Sequence, residues 1–306
     1  MPSPPEIFDR AAVLRHRARA RAQKPSGTTA DTGAMFLHDI AIAEIQERLT
    51  EVKRTFTDIV VVTGHPEVWA PAFPAARLVD DSMTLDLTEA TADLVIHAWG
   101  LHLANDPVGQ IVQCGRALRP DGLFLAVAPG GETLNELRTV LAEAEIAETG
   151  GLSPRVAPMS EIRDMGALLQ RAGLALPVAD AVKHRVSYPS LTRLMHDLRH
   201  MAEGNPLADR RRQATRRAVF ARAEALYSQH FSDPDTDHTA PDAPARLLAT
   251  FELLFLTAWR PDVSQPQPLR PGSASHSLAE ALNAIDIDGP NGQDSPQSKH
   301  KGQPYE

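Results

Sequence analysis

Cysteine and long apolar runs are scarce in this sequence. Cys114 is the one cysteine among 306 residues, so the chain cannot form an internal disulfide and carries no sign of an oxidising compartment. No apolar run approaches the roughly 20 residues that cross a bilayer, and the N-terminus lacks the apolar stretch of a secretory signal. Residues 1–25 are rich in arginine and alanine, as in an organelle transit peptide, but Glu6 and Asp9 interrupt them. We therefore interpret this stretch as mature protein and predict a cytoplasmic location without a transmembrane segment.

Positive charge is in deficit, since the formal net charge is −8, and this argues against general nucleic-acid binding. Two basic clusters nevertheless occur, at residues 15–21 and 210–217. At about 100° per residue, the arginines of the second cluster scatter around most of a helix and do not line one side. They are Arg210, Arg211, Arg212, Arg216 and Arg217. Two interpretations remain open for them, a solvated helix and a docking site for an acidic partner.

Hydrophobic patterning predicts alternating strands and helices. Apolar residues at helical spacing predict helices at 36–49, 134–144 and 162–172, the last two ended by glycines at 150–151 and 173, and a short helix is expected at 66–73. Apolar runs predict strands at 58–63, 77–81, 93–97, 123–127 and 249–259. Asp106 and Pro107 provide the N-cap and first-turn proline of a further helix, and residues 120–122 predict a turn in which Gly122 is free to take a positive φ. The succession from 93 to 127 is a βαβ unit, which predicts a parallel sheet. The polar composition from residue 260 onward predicts a disordered tail, apart from a short helix at 277–285.

Several motifs resemble one family of class I methyltransferases that use S-adenosylmethionine (SAM). They lie at residues 7–10 (IFDR), 36–39 (FLHD), 93–102 (DLVIHAWGLH), 118–122 (LRPDG), 130–138 (GGETLNELR), 150–154 (GGLSP) and 186–189 (VSYP). The family contains the malonyl-carrier-protein methyltransferase of biotin synthesis and a mitochondrial complex I assembly factor described as an arginine hydroxylase. The resemblance extends over roughly residues 6–260 and is closer to the assembly factor.

The resemblance implies an α/β fold, a doubly wound and mostly parallel Rossmann-like sheet with a final antiparallel strand and an N-terminal helical extension. It implies three regions, an N-terminal extension at 1–50, a methyltransferase-like domain at 51–262 and a disordered tail at 263–306. SAM would lie across the carboxyl ends of the strands, which is the usual ligand site of such sheets.

The cofactor loop departs from the family pattern, apolar-apolar-Asp-apolar-Gly-x-Gly-x-Gly. Laid on residues 59–67, the pattern puts Thr63, His65 and Glu67 at the three glycine positions and Val61 at the acidic one, with Gly64 one position out of register. Glycines matter here because they let backbone N–H groups approach the ligand. The cofactor-binding residues implied by the resemblance are Thr63, Gly64, His65, Asp80, Asp81 and His97. Residues 65–67 also match half of a non-haem iron triad, but we favour a surface turn and predict no metal site.

The stretch between Gly64 and Asp93 is short, because the family normally fits two strands and a helix there. By its distance from Asp93, the strand at 77–81 resembles the third, adenine-side strand of the family. The second strand, which carries the acid that binds the ribose, would then be absent, leaving Asp80 or Asp81 as the nearby acidic candidates. Alternatively, these two residues simply end a strand and start a turn.

The acceptor side keeps the family's motifs. The substrate-binding residues implied by the resemblance are His102, Thr133, Glu136, Arg138, Ser153 and Arg155. Alternatively, His102 is a core histidine, and Glu136 and Arg138 form a pair on a helix surface. No catalytic residue is identified.

Two hypotheses from different classes follow. The first is an active SAM-dependent methyltransferase that acts on a protein or acyl-carrier acceptor and is linked to respiratory complex I assembly. The second is a non-catalytic binding or assembly factor that keeps the fold and the acceptor surface but no longer binds SAM, with a respiratory-complex subunit as its partner.

Overall fold

The computed structural model of the protein describes residues 6–23, 35–233 and 246–266. The chain divides into two compact units, residues 1–264 and 265–306, and every helix and strand named below lies in the first. The short helix predicted at 277–285 and most of the predicted tail lie outside the described residues. The division at residues 50 and 262 stays a prediction.

The described residues form one six-stranded sheet in the order β2-β1-β3-β4-β6-β5. The strands are β1 (Ile59–Thr63), β2 (Arg77–Val79), β3 (Ala92–Ala98), β4 (Leu118–Pro129), β5 (Ala175–Tyr188) and β6 (Leu247–Trp259). The pairs from β2 to β4 are parallel, whereas β6 runs antiparallel between β4 and β5. The predicted α/β fold, with a mostly parallel Rossmann-like sheet and a final antiparallel strand, is confirmed.

Helices cover both faces of this sheet. In the described part of the chain they are α1 (Arg10–Ala22), α2 (Phe36–Glu51), α3 (Pro66–Ala72), α4 (Pro107–Ala117), α5 (Asn135–Thr149), α6 (Ile162–Arg171), α7 (Leu191–His200) and α8 (Arg217–His230). Buried apolar residues of α2, α5, α7 and α8 pack in one core, and those of α4 and α6 pack in a second. None of the described helices is long and apolar enough to span a membrane.

The signals at the helix ends act as the sequence predicts. The Asp106 carboxylate accepts a hydrogen bond of 2.8 Å from the backbone N–H of Gly109, and Pro107 opens α4. Gly150 (φ 70°) and Gly173 (φ 77°) follow α5 and α6 in the left-handed conformation that favours glycine. The start of α4 and the ends of α5 and α6 therefore lie where local chemistry places them.

The strand β2 does not take the position that its distance from Asp93 suggested. It pairs directly with β1, with Val61 opposite Leu78, and so holds the place of the family's second strand. The prediction that it is the third strand is wrong, because the short helix α3 returns the chain to the free edge beside β1, and sequence distance to β3 does not fix sheet position. In the described residues, the family strand that is missing is the third one, which would lie outside β2 at the edge of the sheet.

The loop at residues 120–122 is also different from the prediction. It is part of β4, because Asp121 donates its backbone N–H to Arg260 and Gly122 accepts from Arg260, which prolongs the pairing with β6. The positive φ (59°) falls on Asp121 and not on Gly122. Aspartate tolerates this conformation better than most residues do.

The basic cluster at residues 210–217 is not a helix, so the solvated-helix interpretation is wrong. Residues 210–216 are irregular and α8 begins only at Arg217. Arg210 donates to Asp9 at 2.7 Å and to the carbonyl oxygen of Leu207 at 2.7 Å, contacts that hold this loop against the N-terminal segment.

Candidate functional site

The six predicted cofactor-side residues meet at the carboxyl ends of β1, β2 and β3. They are Thr63, Gly64, His65, Asp80, Asp81 and His97, and all except Asp80 are buried. In open α/β sheets, ligands bind in the crevice outside these strand ends. The structure therefore brings the predicted residues to the position where a cofactor of this fold would lie.

Arg17 of α1 fills this position. Its Nη1 and Nη2 atoms donate to Oδ1 and Oδ2 of Asp81, both at 2.6 Å, and the two side chains are only 3% and 1% exposed. The guanidinium also lies directly against Gly64, where an added Cβ would overlap it. Bidentate guanidinium–carboxylate pairs are strong and geometrically specific. Arg17 thus joins the ends of the first two strands from inside the cleft.

Two further arginines of α1 contact the same edge. Arg10 donates to Asp81 at 2.9 Å and to Asp80 at 3.2 Å, and Arg21 donates to the backbone oxygen of Gly64 at 2.6 Å. Burial opposes the ionisation of Asp81, but its bonds to Arg17 and Arg10 dominate and hold the pKa of this carboxyl well below its usual range. Asp81 is consequently an ionised carboxylate whose two oxygens both accept hydrogen bonds from arginines of its own chain.

The side chains at the three glycine positions of the family pattern also contact other groups of the chain. Thr63 Oγ1 accepts a 3.1 Å hydrogen bond from the backbone N–H of His65, and His65 Nδ1 lies 3.5 Å from Glu67 Oε1. Burial raises the pKa of Glu67, but bonding to His65 and the nearby charge of Arg21 lower it to about 2. Together with Arg17, these side chains occupy the volume that a glycine loop would leave for a ligand. The residues present do not fit SAM.

A layer of histidine and tryptophan rings lies beneath this edge. The His38 ring is 4.8 Å from that of His65 and 4.5 Å from that of Trp99, and Trp69 Nε1 donates to His38 Nδ1 at 3.2 Å. His97 bonds Gln110 at 2.9 Å, and Gln110 in turn donates to the backbone oxygen of Asp81 at 3.2 Å. Burial lowers the pKa of both His38 and His97, so they are neutral core histidines at physiological pH.

The acceptor side holds a cavity of about 220 Å³. Its walls are mainly apolar and include Leu137, Met195 and Phe251, from α5, α7 and β6. Six polar side chains also line it, those of His102, Thr133, Arg155, Arg199, Glu203 and Asn205. An apolar cavity with a few convergent polar groups is the usual form of a small-ligand or side-chain pocket.

Glu203 is the acid of this cavity. Its Oε1 atom accepts from Trp99 Nε1 at 2.7 Å, and His102 Nε2 lies 3.3 Å from either carboxylate oxygen. Burial opposes the ionisation of Glu203, but His102 and Trp99 lower its pKa to about 2, so it is charged. Trp99 has a positive φ of 58°, which for a bulky residue is strained, and its backbone N–H is fixed by Val127.

The six predicted substrate-side residues separate into two groups. His102, Thr133 and Arg155 line the cavity. The other three bond elsewhere: Glu136 accepts from the backbone and hydroxyl of Thr250, Arg138 donates to Ala157, and Ser153 donates to Glu145. Neither the core-histidine alternative for His102 nor the surface pair of Glu136 and Arg138 describes these contacts. The functional roles of all six stay predictions.

Three residues that define the site were not identified from the sequence, namely Arg17, Trp99 and Glu203. Trp99 lies within the family motif at 93–102 but was not assigned a role. Arg17 belongs to the basic cluster at 15–21, whose partner is distant in sequence. Glu203 carries no motif, and only the folding of the segment after α7 brings it to His102.

No protein-family model matches the chain. The chain is 34% identical over 207 residues to the arginine-hydroxylase NDUFAF5, mitochondrial, of Danio rerio, covering 68% of the chain and 61% of the relative. It is 33% identical over 207 residues to the Homo sapiens protein of the same name, covering 68% and 57%. It is 30% identical over 215 residues to the malonyl-[acyl-carrier protein] O-methyltransferase of Xylella fastidiosa, covering 70% and 66%. The chain thus spans about three fifths of the length of these two arginine-hydroxylases.

Solved structures resemble the chain in fold alone. The YcgJ protein of Bacillus subtilis has a TM-score of 0.45 at 12% identity, over 74% of the chain and 100% of the other protein. The phosphoethanolamine N-methyltransferase 2 of Haemonchus contortus has a TM-score of 0.37 at 11% identity, over 72% and 53%.

By its sheet order and helices, the protein has a class I, Rossmann-like methyltransferase fold. It is homologous to the NDUFAF5 arginine-hydroxylases and, at lower identity, to malonyl-carrier-protein O-methyltransferases. The resemblance identified in the sequence is confirmed, including its closer branch.

The predicted cytoplasmic location is wrong. The arginine-hydroxylases of Danio rerio, Dictyostelium discoideum, Mus musculus and Homo sapiens that match the chain are all named mitochondrial. The absence of a cysteine pair and of an apolar segment does not distinguish the cytoplasm from a mitochondrial compartment, so composition alone could not decide.

Proposed function

We propose that this protein is a non-catalytic assembly factor of methyltransferase fold, which binds an arginine-bearing segment of a respiratory-complex protein and does not bind SAM. The observation that carries this proposal is the Arg17–Asp81 pair, buried between the ends of β1 and β2. To admit a cofactor, the fold would have to expose a guanidinium and leave a buried carboxylate without its partner, which costs about 3–5 kcal/mol. The acceptor cavity can admit a ligand without breaking a buried ion pair of this kind.

The cavity suits the side chain of an arginine. Such a side chain combines an apolar stem with a planar cation, and the cavity combines apolar walls with the charged carboxylate of Glu203. Each carboxylate oxygen has two acceptor sites, so Glu203 retains capacity beyond its bonds to Trp99 and His102. Two arginines of the chain also line the cavity, Arg155 and Arg199. Arg155 does not compete for Glu203, because it forms two bonds of 2.9 and 2.7 Å with Glu145, and in the described part of the chain no ion pair joins the exposed Arg199 to Glu203.

The nature of the acceptor is inferred from the relatives. Those with the higher identity are named arginine-hydroxylases, which directs the proposal to an arginine of a protein. The link to respiratory complex I rests on the resemblance of the sequence to an assembly factor of that complex. An acyl-carrier acceptor, which the names of the malonyl-carrier relatives suggest, is the competing choice, and its acidic thioester substrate would meet the carboxylate of Glu203 unfavourably.

The loss of the cofactor is tested by titrating SAM into the purified chain and following its thermal midpoint. A ligand at 100 times its dissociation constant stabilises the native state by about 2.7 kcal/mol. We expect no shift at millimolar SAM. A clear, saturable shift in the unmodified protein would overturn this part of the proposal and favour the alternative, an active methyltransferase with a remodelled cofactor loop.

The use of the cavity is tested with a neutral fluorescent peptide that carries one arginine. We expect the peptide to bind the unmodified protein and to lose on the order of tenfold in affinity with Glu203→Gln, which keeps the shape of the side chain and removes its charge. Exchange of the arginine for citrulline should have a similar effect. Equal affinities for the arginine and citrulline peptides would contradict an arginine-binding cavity.

A further inference from the structure

An open cleft of about 660 Å³ lies between the end of α5 and the irregular loop that precedes α8. The loop contributes Arg211, Arg212 and Arg216, the end of α5 contributes Glu145 and Glu148, and the segment after α5 contributes Leu152 and Ser153. We call the three arginines, Leu152 and Ser153 the arginine surface. All three arginines are exposed, and Leu152 is an apolar side chain with 65% of its surface exposed.

The positive charge of this surface is only partly balanced. Arg211 lies 3.5 Å from Glu145, but Glu145 already takes two shorter bonds from Arg155. Arg212 is 73% exposed and 3.9 Å from Asp9, a carboxylate that Arg210 holds at 2.7 Å. In the described part of the chain, no ion pair involves Arg216. Glu148 also lines the cleft, and none of the ion pairs in the described part of the chain involves it. Three exposed arginines therefore face this one unpaired carboxylate and two others, Glu145 and Asp9, that are each held more closely by another arginine.

This concentration of positive charge is unfavourable for the fold itself. The helix α8 begins directly after Arg216, has no acidic residue in its first turn and has no side-chain cap. Cations at the positive end of a helix destabilise it. The chain as a whole carries a formal charge of −8, so the local excess opposes the general trend. An unfavourable local arrangement of this kind is the usual mark of a functional surface.

We propose that the arginine surface docks an acidic polypeptide segment of the partner. Arginine is the residue of choice for paired recognition of carboxylates at interfaces, and complementary charge steers association and fixes orientation. A protein is favoured over a nucleic acid because the negatively charged chain repels a phosphate backbone and because the exposed Leu152 offers an apolar contact in the same cleft. The surface deepens the proposed function, on which it rests, by defining the residues that flank the arginine of the acceptor.

The cleft and the acceptor cavity share a wall. Arg155 lines the cavity, and its guanidinium holds the Glu145 that lines the cleft. Ser153 donates to the same carboxylate at 2.9 Å. Bonding to Arg155 lowers the pKa of Glu145 to about 2, so this pair is fixed and charged at physiological pH. A single extended segment can therefore place one arginine in the cavity and its acidic neighbours on the arginine surface.

The test measures the binding of labelled twelve-residue peptides to two charge-reversed proteins by fluorescence anisotropy. The first is Arg211→Glu with Arg212→Glu and Arg216→Glu. The matched control is Arg163→Glu with Arg171→Glu and Arg185→Glu, which reverses three exposed arginines on α6 and β5. One peptide is glutamate-rich with a central arginine, the second replaces that arginine with alanine, and the third replaces the glutamates with glutamine.

We expect both glutamate peptides to bind the control as they bind the unmodified protein, and to bind the arginine-surface variant at least about tenfold more weakly. Equal weakening by both triple variants would overturn the proposal. So would tighter, surface-dependent binding of a DNA duplex or of phosphatidylserine vesicles. If the triple glutamine variant of the same arginines, which avoids charge reversal, still bound the glutamate peptides with full affinity, the proposal would also fail.

The peptides separate this inference from the proposed function. Surface-dependent binding of the alanine peptide, with no gain from the central arginine, supports the arginine surface and contradicts the cavity. The opposite result is that the central arginine increases affinity while the arginine-surface variant binds the glutamate peptides as well as the unmodified protein does. That result supports the cavity and contradicts the arginine surface.

Discussion

The cofactor side and the acceptor side of the site, both at the carboxyl ends of the parallel strands, differ in what occupies them. On the cofactor side, the carboxylates of Asp81 and Glu67 contact arginines of α1, and Arg17 fills the space between them. On the acceptor side, a cavity of about 220 Å³ remains, with the charged Glu203 at its wall. The chain's own side chains occupy one side, and the other has room for a ligand. Under the function that we propose, only the acceptor half of a methyltransferase site still binds a ligand.

Removal of Arg17 is expected to have the largest effect on stability. Arg17→Ala leaves Asp81 buried with only the partly exposed Arg10 as a partner, and breaking a buried pair in this way costs about 3–5 kcal/mol. Urea denaturation would measure the loss in the free energy of unfolding. The control is Arg15→Ala, because Arg15 is 53% exposed and 3.8 Å from Asp9, and we expect it to cost less than about 1 kcal/mol.

A double replacement sharpens this comparison. Arg17→Met combined with Asp81→Leu removes both charges together, and we expect it to recover most of the lost stability because no unpaired buried charge remains. If Arg17→Ala cost no more than Arg15→Ala, the cofactor side would not be closed by this pair, and the contrast with the acceptor side would disappear.

The contact between Gly64 and Arg17 provides the next largest effect. A Cβ on Gly64 would overlap the guanidinium, so Gly64→Ala forces Arg17 to move and should cost about 1–3 kcal/mol. Gly151→Ala is the matched control, since nothing lies within 4 Å of its added Cβ. Both are measured by thermal and urea denaturation.

A double-mutant cycle identifies the cause of the Gly64 effect. In the Arg17→Ala protein the obstruction is gone, so Gly64→Ala should then cost close to nothing. The same cost in both backgrounds would show that the glycine is needed for another reason, such as its backbone conformation.

Part of the secondary structure was predicted from the sequence, although β5, α7 and α8 were not, and the contents of the site were not predicted. The end of α5 at Gly150 and the start of α4 at Asp106 depend on neighbouring residues, so local chemistry predicts them. The pair of Arg17 with Asp81 joins residues 64 positions apart, and that of Trp99 with Glu203 joins residues 104 apart. No periodic pattern encodes such pairs. The acceptor motifs located the cavity only in part, because three of the six predicted residues line it and three bond within the fold.

The buried histidines predict a moderate dependence of stability on pH. Burial lowers the pKa of His38 and His97 in the folded chain, while in the unfolded chain both should have the ordinary value of about 6.5. As the pH falls below about 6.5, the unfolded state takes up protons that the folded state does not. The free energy of unfolding should therefore decrease, by up to about 1.4 kcal/mol per pH unit for each residue.

Urea denaturation between pH 7.5 and 5.5 measures this slope. His97→Gln should reduce it, whereas His230→Gln, which changes an exposed histidine at the end of α8, should not. A slope of zero over this range would mean that the ring layer beneath the cofactor side takes up protons as readily as the unfolded chain.

The smallest effect on stability is expected from an isosteric change on the acceptor side. Glu203→Gln keeps an acceptor for Trp99 and an amide that can still bond His102, so the free energy of unfolding should fall by about 1 kcal/mol or less. The same change at Asp81 faces the buried Arg17 and should cost about as much as Arg17→Ala. The two variants should therefore affect different properties, one the stability of the fold and the other the binding of a ligand. Asp81→Asn should weaken the fold, whereas Glu203→Gln should leave it nearly intact and weaken binding of an arginine peptide, as expected if only the acceptor side still holds a ligand.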